Sequence, residues 1–214
     1  MIRILFVCTG NICRSPIATH VLRSRLSDEP GVEIDSAGTH PPIGHPMTPE
    51  ALILAREFGA RGSDAAHHHA RLVIPPTVES SDLVLGMSRR HRRAAVELAP
   101  RRLRATFTLR EFARVVDSLS DTLLDAAATG ETPPERFASL VRVIAQQRTA
   151  APAPGAPEHD DVVDPYGKDD ETYRQCALQL IPALDAVERI VRRAHGGAAP
   201  VTDAGAPRMR RRDR

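Results

Sequence analysis

The sequence predicts an α/β protein, a three-layer sandwich with a central four-stranded parallel sheet and helices on both of its faces. Three observations lead there. Ile2, Ile4, Leu5, Phe6 and Val7 make an almost continuous apolar run, the pattern of a strand covered on both sides. Further strand-like runs then alternate with segments of helical periodicity, which implies parallel strands joined by right-handed crossovers. Between the first strand and the first helix lies a tight polar loop, at the carboxyl end of a buried strand where ligands bind in such sheets.

Composition sets the outer limits. A chain of 214 residues with 42% apolar content can bury a full core and fits one domain with an elaboration. The formal net charge of +2 is too small to select a nucleic acid or a membrane as partner. Residues 1–7 read as a strand containing one Arg, not as an export signal. No apolar run reaches the roughly 18 to 20 residues needed to cross a bilayer, so a soluble protein is expected. Three cysteines, Cys8, Cys13 and Cys176, form no disulfide framework, and a reducing, cytoplasmic setting is the expectation.

Taken in order, the first strand ends at Cys8. Ser15 followed by Pro16 predicts a helix start, the hydroxyl capping free amides and the Pro losing nothing at the first helical position. Ile17, Ala18, Val21, Leu22 and Leu26 then recur at helical spacing. Val32, Ile34 and Ser36 alternate as a second strand, closed by Ala37 and Gly38. Residues 49–59 predict a helix with Ala51, Leu52, Leu54, Ala55 and Phe58 on its buried side and Gly59 at its end. Leu83, Val84 and Leu85 predict a third buried strand, followed by a very basic helix over residues 89–98. Residues 106–109 predict a short fourth strand. Near the C-terminus Tyr173, Cys176, Ala177, Leu180, Ile181, Leu184, Val187 and Ile190 trace one helical face, which Pro182 is expected to kink.

Two segments stand outside this alternation. Residues 113–161 read as an insertion, with a helix over 134–147 and a Pro/Ala-rich linker over 149–157. Residues 195–214 mix Gly, Ala and Pro with five arginines and are expected to be disordered. One catalytic domain over residues 1–194 is the resulting organisation, without internal repeats.

The loop Cys8-Thr9-Gly10-Asn11-Ile12-Cys13-Arg14-Ser15 carries the chemistry. A strand-to-helix loop this tight turns successive main-chain N–H groups inward, and with the helix N-terminus they make a concave site for a tetrahedral dianion. Gly10 and Asn11 tolerate the left-handed backbone that such a nest requires. Arg14 can grip two phosphoryl oxygens with its planar fork. The same positive surroundings favour thiolate over thiol at Cys8, and a thiolate is the nucleophile that phosphoryl transfer needs. No Gly-Lys-Ser/Thr follows, so this is not the nucleotide-binding glycine-rich loop and ATP is not implied.

The run Val7 to Pro16 resembles the signature of low-molecular-weight protein tyrosine phosphatases at every fixed position. Ser36-Ala37-Gly38-Thr39 is similar to the family's second-strand end, His68-His69-Ala70-Arg71 to its H-x-A-R segment, and Asp164-Pro165-Tyr166 to its acid loop. The resemblance covers about residues 1–112 and 160–192, and it implies the strand order 2-1-3-4. The activity it implies is hydrolysis of phosphotyrosine through a cysteinyl phosphate on Cys8, with Arg14 stabilising the transferred group and Asp164 as general acid and then general base. It makes Ser15 a donor to the sulfur, Asn11, Ser36 and His68 braces of the loop, and Tyr166 a wall of the cleft. Thr9, Gly10, Asn11, Ile12, Cys13, Ser15 and Tyr166 are thus the expected substrate-binding residues, with no metal and no cofactor. Phosphotyrosine-containing proteins are the expected partners, and neither nucleic acid nor membrane is.

Other readings remain beside these. Cys13 is either a packing residue or, as the resemblance suggests, a thiol able to pair with oxidised Cys8. Cys176 lies on an apolar helical stripe and reads as core. Residues 67–69 are three histidines in a row, but neighbours cannot easily converge on one ion. Arg89 to Arg93 read as a solvated face. Rival functions are an arsenate reductase on the same fold, for which the chain lacks a closely spaced cysteine pair, and a protein arginine phosphatase. The latter's loop carries Thr where this chain has Ile12. A non-catalytic phosphate-binding module is the third rival.

Overall fold

The apolar run at the start of the chain fixes the centre of the fold. In the computed structural model, which describes residues 1–196, β1 (Ile2–Cys8) sits between two parallel neighbours, and the sheet order is β2-β1-β3-β4. Ile4 pairs with Ile34 on one side and Leu83 on the other. The two faces of β1 enter different apolar clusters. Ile2, Ile4, Phe6 and Cys8 face the larger one, Leu5 and Val7 the smaller. This is why the run is apolar at nearly every position.

Helix α1 (Arg14–Arg25) begins two residues earlier than a Ser15 cap and a Pro16 first position suggested, with Cys13 as its N-cap and no side-chain cap bond. The Ser15 hydroxyl does not cap because it is engaged by Cys8 and Asn11. Strand β2 (Val32–Gly38) follows, then α2 (Pro49–Glu57), whose Thr48 cap accepts from the Ala51 N–H at 3.3 Å. Gly59 just beyond it has φ +91°, the left-handed stop expected of a glycine there. Two short helices, α3 (Gly62–Ala66) and α4 (Pro75–Glu79), lack the length to give periodicity. Strand β3 (Leu83–Gly86) leads into α5 (Arg89–Leu98).

Strand β4 (Thr106–Thr108) is one residue shorter than expected, because Leu109 already belongs to α6 (Leu109–Asp117). The reason is a reciprocal cap. Thr108 Oγ1 accepts from the Glu111 N–H at 3.0 Å and Glu111 Oε2 accepts from the Thr108 N–H at 3.2 Å. Next come α7 (Asp121–Ala127) and α8 (Pro133–Gln147), the latter opening one residue before the expected start, where Glu135 Oε2 accepts from the Thr132 N–H at 3.2 Å. A short 3-10 turn, Pro157–Asp160, precedes the last helix, α9 (Asp170–His195). That helix runs on through Pro182. The Leu178 carbonyl, which loses its N–H partner at Pro182, belongs to an exposed residue and can be hydrated. His195 still belongs to α9 and Gly196 ends it with φ +84°, whereas the rest of the Arg-rich tail, 197–214, lies outside the described residues.

Phe112, Val115 and Val116 of α6, Leu124 of α7, and Phe137, Leu140 and Ile144 of α8 are all buried in the larger cluster together with Phe6 and the apolar stripe of α9. Phe107 and Phe112 meet edge to face with centroids 5.4 Å apart. Phe137 is therefore a test of whether α8 shares the cooperative core. Phe137→Ala is expected to lower unfolding free energy by about 3 to 5 kcal/mol in urea titrations. A loss below about 1 kcal/mol would mean that α8 is a peripheral attachment.

Candidate active site

The site grows from the carboxyl end of β1. Cys8 is paired with Gly38 of β2, and a Cβ on Gly38 would lie 2.5 Å from the Thr9 carbonyl oxygen, so only glycine lets the loop pass this closely. The loop then turns through Asn11, whose φ is +53°. Of the two residues expected to supply a left-handed backbone, Asn11 does so and Gly10 does not.

Asn11 is the hub. Its Nδ2 donates to Ser36 Oγ at 2.9 Å and to Ser15 Oγ at 3.0 Å, and its Oδ1 accepts from the Arg71 N–H at 3.0 Å. Its carbonyl accepts from His68 Nε2 at 2.7 Å. Its own N–H points at Cys8 Sγ, 3.1 Å away. Because Ser15 Oγ accepts from Asn11, its hydroxyl proton is free to aim at the sulfur, 2.9 Å from it. Two donors thus converge on Cys8 Sγ and stabilise negative charge there. The first intrahelical bond of α1 runs from the Ile17 N–H to the Cys13 carbonyl. The preceding N–H groups therefore have no helical acceptor and form the positive end of the helix beside the thiol.

Arg14, though almost fully buried, places one Nη2 N–H on Asp164 Oδ2 at 2.6 Å and Nη1 on the Val162 carbonyl at 3.2 Å. This leaves further donors of the guanidinium for another acceptor. Asp164 Oδ1 accepts from the Tyr166 N–H at 3.3 Å, an Asx turn that fixes the carboxylate. Cys8, Thr9, Gly10, Ile12, Cys13 and Arg14 form the floor of a cavity of about 360 Å³. His40, Pro41 and Pro42 wall one side, and Asp164 and the largely exposed Tyr166 the other. Asn11 and Ser15, expected among the substrate contacts, lie behind the floor as braces. A larger cavity, about 500 Å³, opens between α6 and α9, but no cysteine lines it and its Ser118 hydroxyl donates to the Val115 carbonyl, so volume does not choose the site.

The other cysteines differ in character. Burial raises the Cys13 thiol above its ordinary value, against weak sulfur contacts with Thr48 Oγ1 at 3.5 Å and the Tyr173 hydroxyl at 3.7 Å. Burial pushes Cys176 up to about 12, which keeps it a thiol. The three histidines of residues 67–69 turn to three separate carbonyls, those of Ser63, Asn11 and Gly44.

One brace was hidden in the run read as a solvated basic face. His91 points inward, 2 % exposed, with Nε2 2.9 Å from Thr9 Oγ1 and Nδ1 2.8 Å from the N-capping hydroxyl of Ser88. Burial, then the charge of Arg14, lowers its pKa to about 3. The signal available was the Ser three residues before it, a cap that sets which helical face turns in. His20, also buried, is lowered to about 4, chiefly by burial and then by His68, whose ring it meets edge to face at 5.5 Å.

A model of the family described as "Low molecular weight phosphotyrosine protein phosphatase" matches residues 3–151, a span that stops short of Asp164. A protein-arginine-phosphatase of Geobacillus stearothermophilus is 37% identical over 115 residues, 54% of this chain and 74% of that protein. The low molecular weight protein-tyrosine-phosphatase Etp of Escherichia coli K12 is 39% identical over 97 residues, 45% of this chain and 62% of its own length. Among solved structures, the YwlE arginine phosphatase from Geobacillus stearothermophilus superposes with a TM-score of 0.61 at 26% identity, covering 90% of this chain and 94% of that one.

His20 and His91 are neutral in the folded protein but protonate below about 6.5 when it unfolds. Their folded values are depressed, so the unfolded chain binds the extra protons. Their contribution is complete above that pH and is lost as pH falls towards 4. Each costs up to about 1.4 kcal/mol of stability per pH unit in that window. Urea unfolding between pH 7.5 and 5 is expected to show a shallower pH slope for His20→Leu than for the parent. Identical slopes would refute the buried neutral imidazole.

Proposed function

Because the chain belongs to the low molecular weight phosphotyrosine protein phosphatase family, we propose that it hydrolyses phosphotyrosine in proteins, with Cys8 as nucleophile, Arg14 as phosphoryl clamp and Asp164 as proton donor and acceptor. The observation that carries this is the convergence of the Ser15 hydroxyl and the Asn11 N–H on one sulfur, at the foot of a cleft walled by an Arg–Asp pair. In the first step the sulfur attacks phosphorus, the P–O bond to the phenol breaks, and Asp164 gives its proton to the leaving oxygen. In the second, water attacks the cysteinyl phosphate and yields a proton to Asp164 as the S–P bond breaks and the thiolate re-forms. Arg14 and the N–H groups of residues 9–14 face the charge that spreads over the equatorial oxygens.

The choice of phosphotyrosine rests on the walls. Ile12, Pro41, Pro42 and Tyr166 offer apolar and aromatic surface to a phenyl ring. A phosphoarginine guanidinium wants a carboxylate partner, and the lining holds a single carboxylate, Asp164, which the reaction engages as proton donor. The similarity to arginine phosphatases favours the second reading, hydrolysis of phosphoarginine. Three free cysteines support a reducing, cytoplasmic setting, with phosphoproteins rather than nucleic acid or membrane as partners.

Phosphate release from matched phosphotyrosine and phosphoarginine peptides decides between the two, and a preference for the latter would overturn the choice. Cys8→Ser is expected to lower kcat by roughly a thousandfold or more. Asp164→Asn should slow phenyl phosphate far more than p-nitrophenyl phosphate, whose phenolate leaves without help. Equal losses on both would remove Asp164 from the role of proton donor.

A further inference from the structure

We propose that Gln179 is a positioning residue for Asp164, holding the main chain of the acid loop so that the carboxyl group reaches the leaving oxygen. The proposal rests on the reading of Asp164 as proton donor. Between the 3-10 turn that ends at Asp160 and the start of α9, the loop has no regular secondary structure. Its shape must therefore come from bonds made to it by other elements.

Those bonds run residue by residue. Arg114 Nη2 holds Asp160 at 2.9 Å, and the Arg89 N–H holds the Asp161 carboxylate at 2.7 Å. Arg110 Nη1 donates to the Asp161 carbonyl at 2.9 Å, and the Val162 N–H donates to the Met87 carbonyl at 2.8 Å. The last main-chain anchor before Asp164 is the Val163 N–H, which donates to Gln179 Oε1 of α9 at 2.8 Å. Beyond Asp164, Pro165 has no N–H, and the Tyr166 N–H turns back to Asp164 itself. On the other side of the carboxylate stands Arg14, a group that must also serve the phosphoryl oxygens. Gln179 alone among these neighbours accepts through a neutral side chain, and it has no place in the reaction cleft. It lines instead the larger cavity between α6 and α9, beside Arg110 and Arg114, where a changed side chain meets open space rather than tight core.

General acid catalysis requires the donor within about 2.6 to 3.2 Å of the oxygen it protonates. Removing the acceptor of the Val163 N–H loosens the residue next to the acid and leaves nucleophile and phosphate loop untouched. The cost should fall on substrates that need the proton.

The test measures kcat/KM of the full chain on phenyl phosphate and p-nitrophenyl phosphate. Gln179→Met and Gln179→Ala are expected to lose about two- to tenfold on the first, the worth of one hydrogen bond, and little on the second. Gln179→Glu, which keeps an acceptor oxygen, should retain parental values on both. In an Asp164→Asn background Gln179→Met should add no further loss. Equal losses on both substrates, or none on either, would overturn the proposal while leaving Asp164's own leaving-group effect intact. Absence of that effect in Asp164→Asn would instead overturn the reading of Asp164, and this proposal with it. Should Gln179→Met fail to fold, Gln179→Ala, which only shortens a half-buried side chain, is judged by the same criteria.

Discussion

The arrangement hangs on Asn11 being held in a left-handed turn with every polar group of the residue used. Such a backbone costs most L-residues about 1 to 2 kcal/mol, and asparagine tolerates it best among those with a side chain. Glycine would adopt it more freely but would abandon Ser15, Ser36 and the Arg71 N–H, all of which the Asn11 amide engages. Aspartate would keep the shape yet offer no donor to the two hydroxyls and would set a negative charge beside the sulfur. Asparagine alone satisfies conformation, donor count and neutrality together.

A second constraint links residues far apart in sequence. Arg14 opens the first helix and Asp164 precedes the last, so their ion pair closes the cleft only if the sheet, α6 and α9 are already packed. The helices over residues 109–147 bear on this directly. Arg110 and Arg114 of α6 hold Asp160 and Asp161, so part of the segment that looks like an addition to the phosphate loop supports the residue that would protonate the leaving group. The acid loop is thus anchored to α6, to the end of β3 and to α9 at once.

What the sequence made legible follows from where information is local. The phosphate loop is contiguous, and its glycine, asparagine and arginine each answer to a backbone or anion requirement that can be stated without a structure. Buried strands β1 and β3 read from apolar runs, and α9 from its stripe. Less was visible where short range misleads. Leu109 looked like the end of a strand because apolar character cannot separate strand from helix, and the Thr108/Glu111 cap decided for helix. Helices α3 and α4 are too short for a period. His91, inside a run of arginines, and Gln179, on a helix read only for its apolar face, act through partners 82 and 16 residues away. No local pattern encodes such pairs.

The chemical character of the braces completes the logic. Every group that shapes the loop from behind is uncharged or held uncharged: Asn11, Ser15, Ser36 and Thr9 by nature, and His91 because burial and the nearby Arg14 disfavour its cation. His68 is likewise lowered, mainly by burial. A charged brace in these positions would either attract the phosphoryl group away from the sulfur or repel it, since a buried charge acts over several ångströms in a low-dielectric interior. Confining positive charge to Arg14 and the helix N-terminus makes the point of strongest attraction coincide with the atom that attacks. Burial of neutral imidazoles therefore braces the loop without adding a second cation behind Arg14.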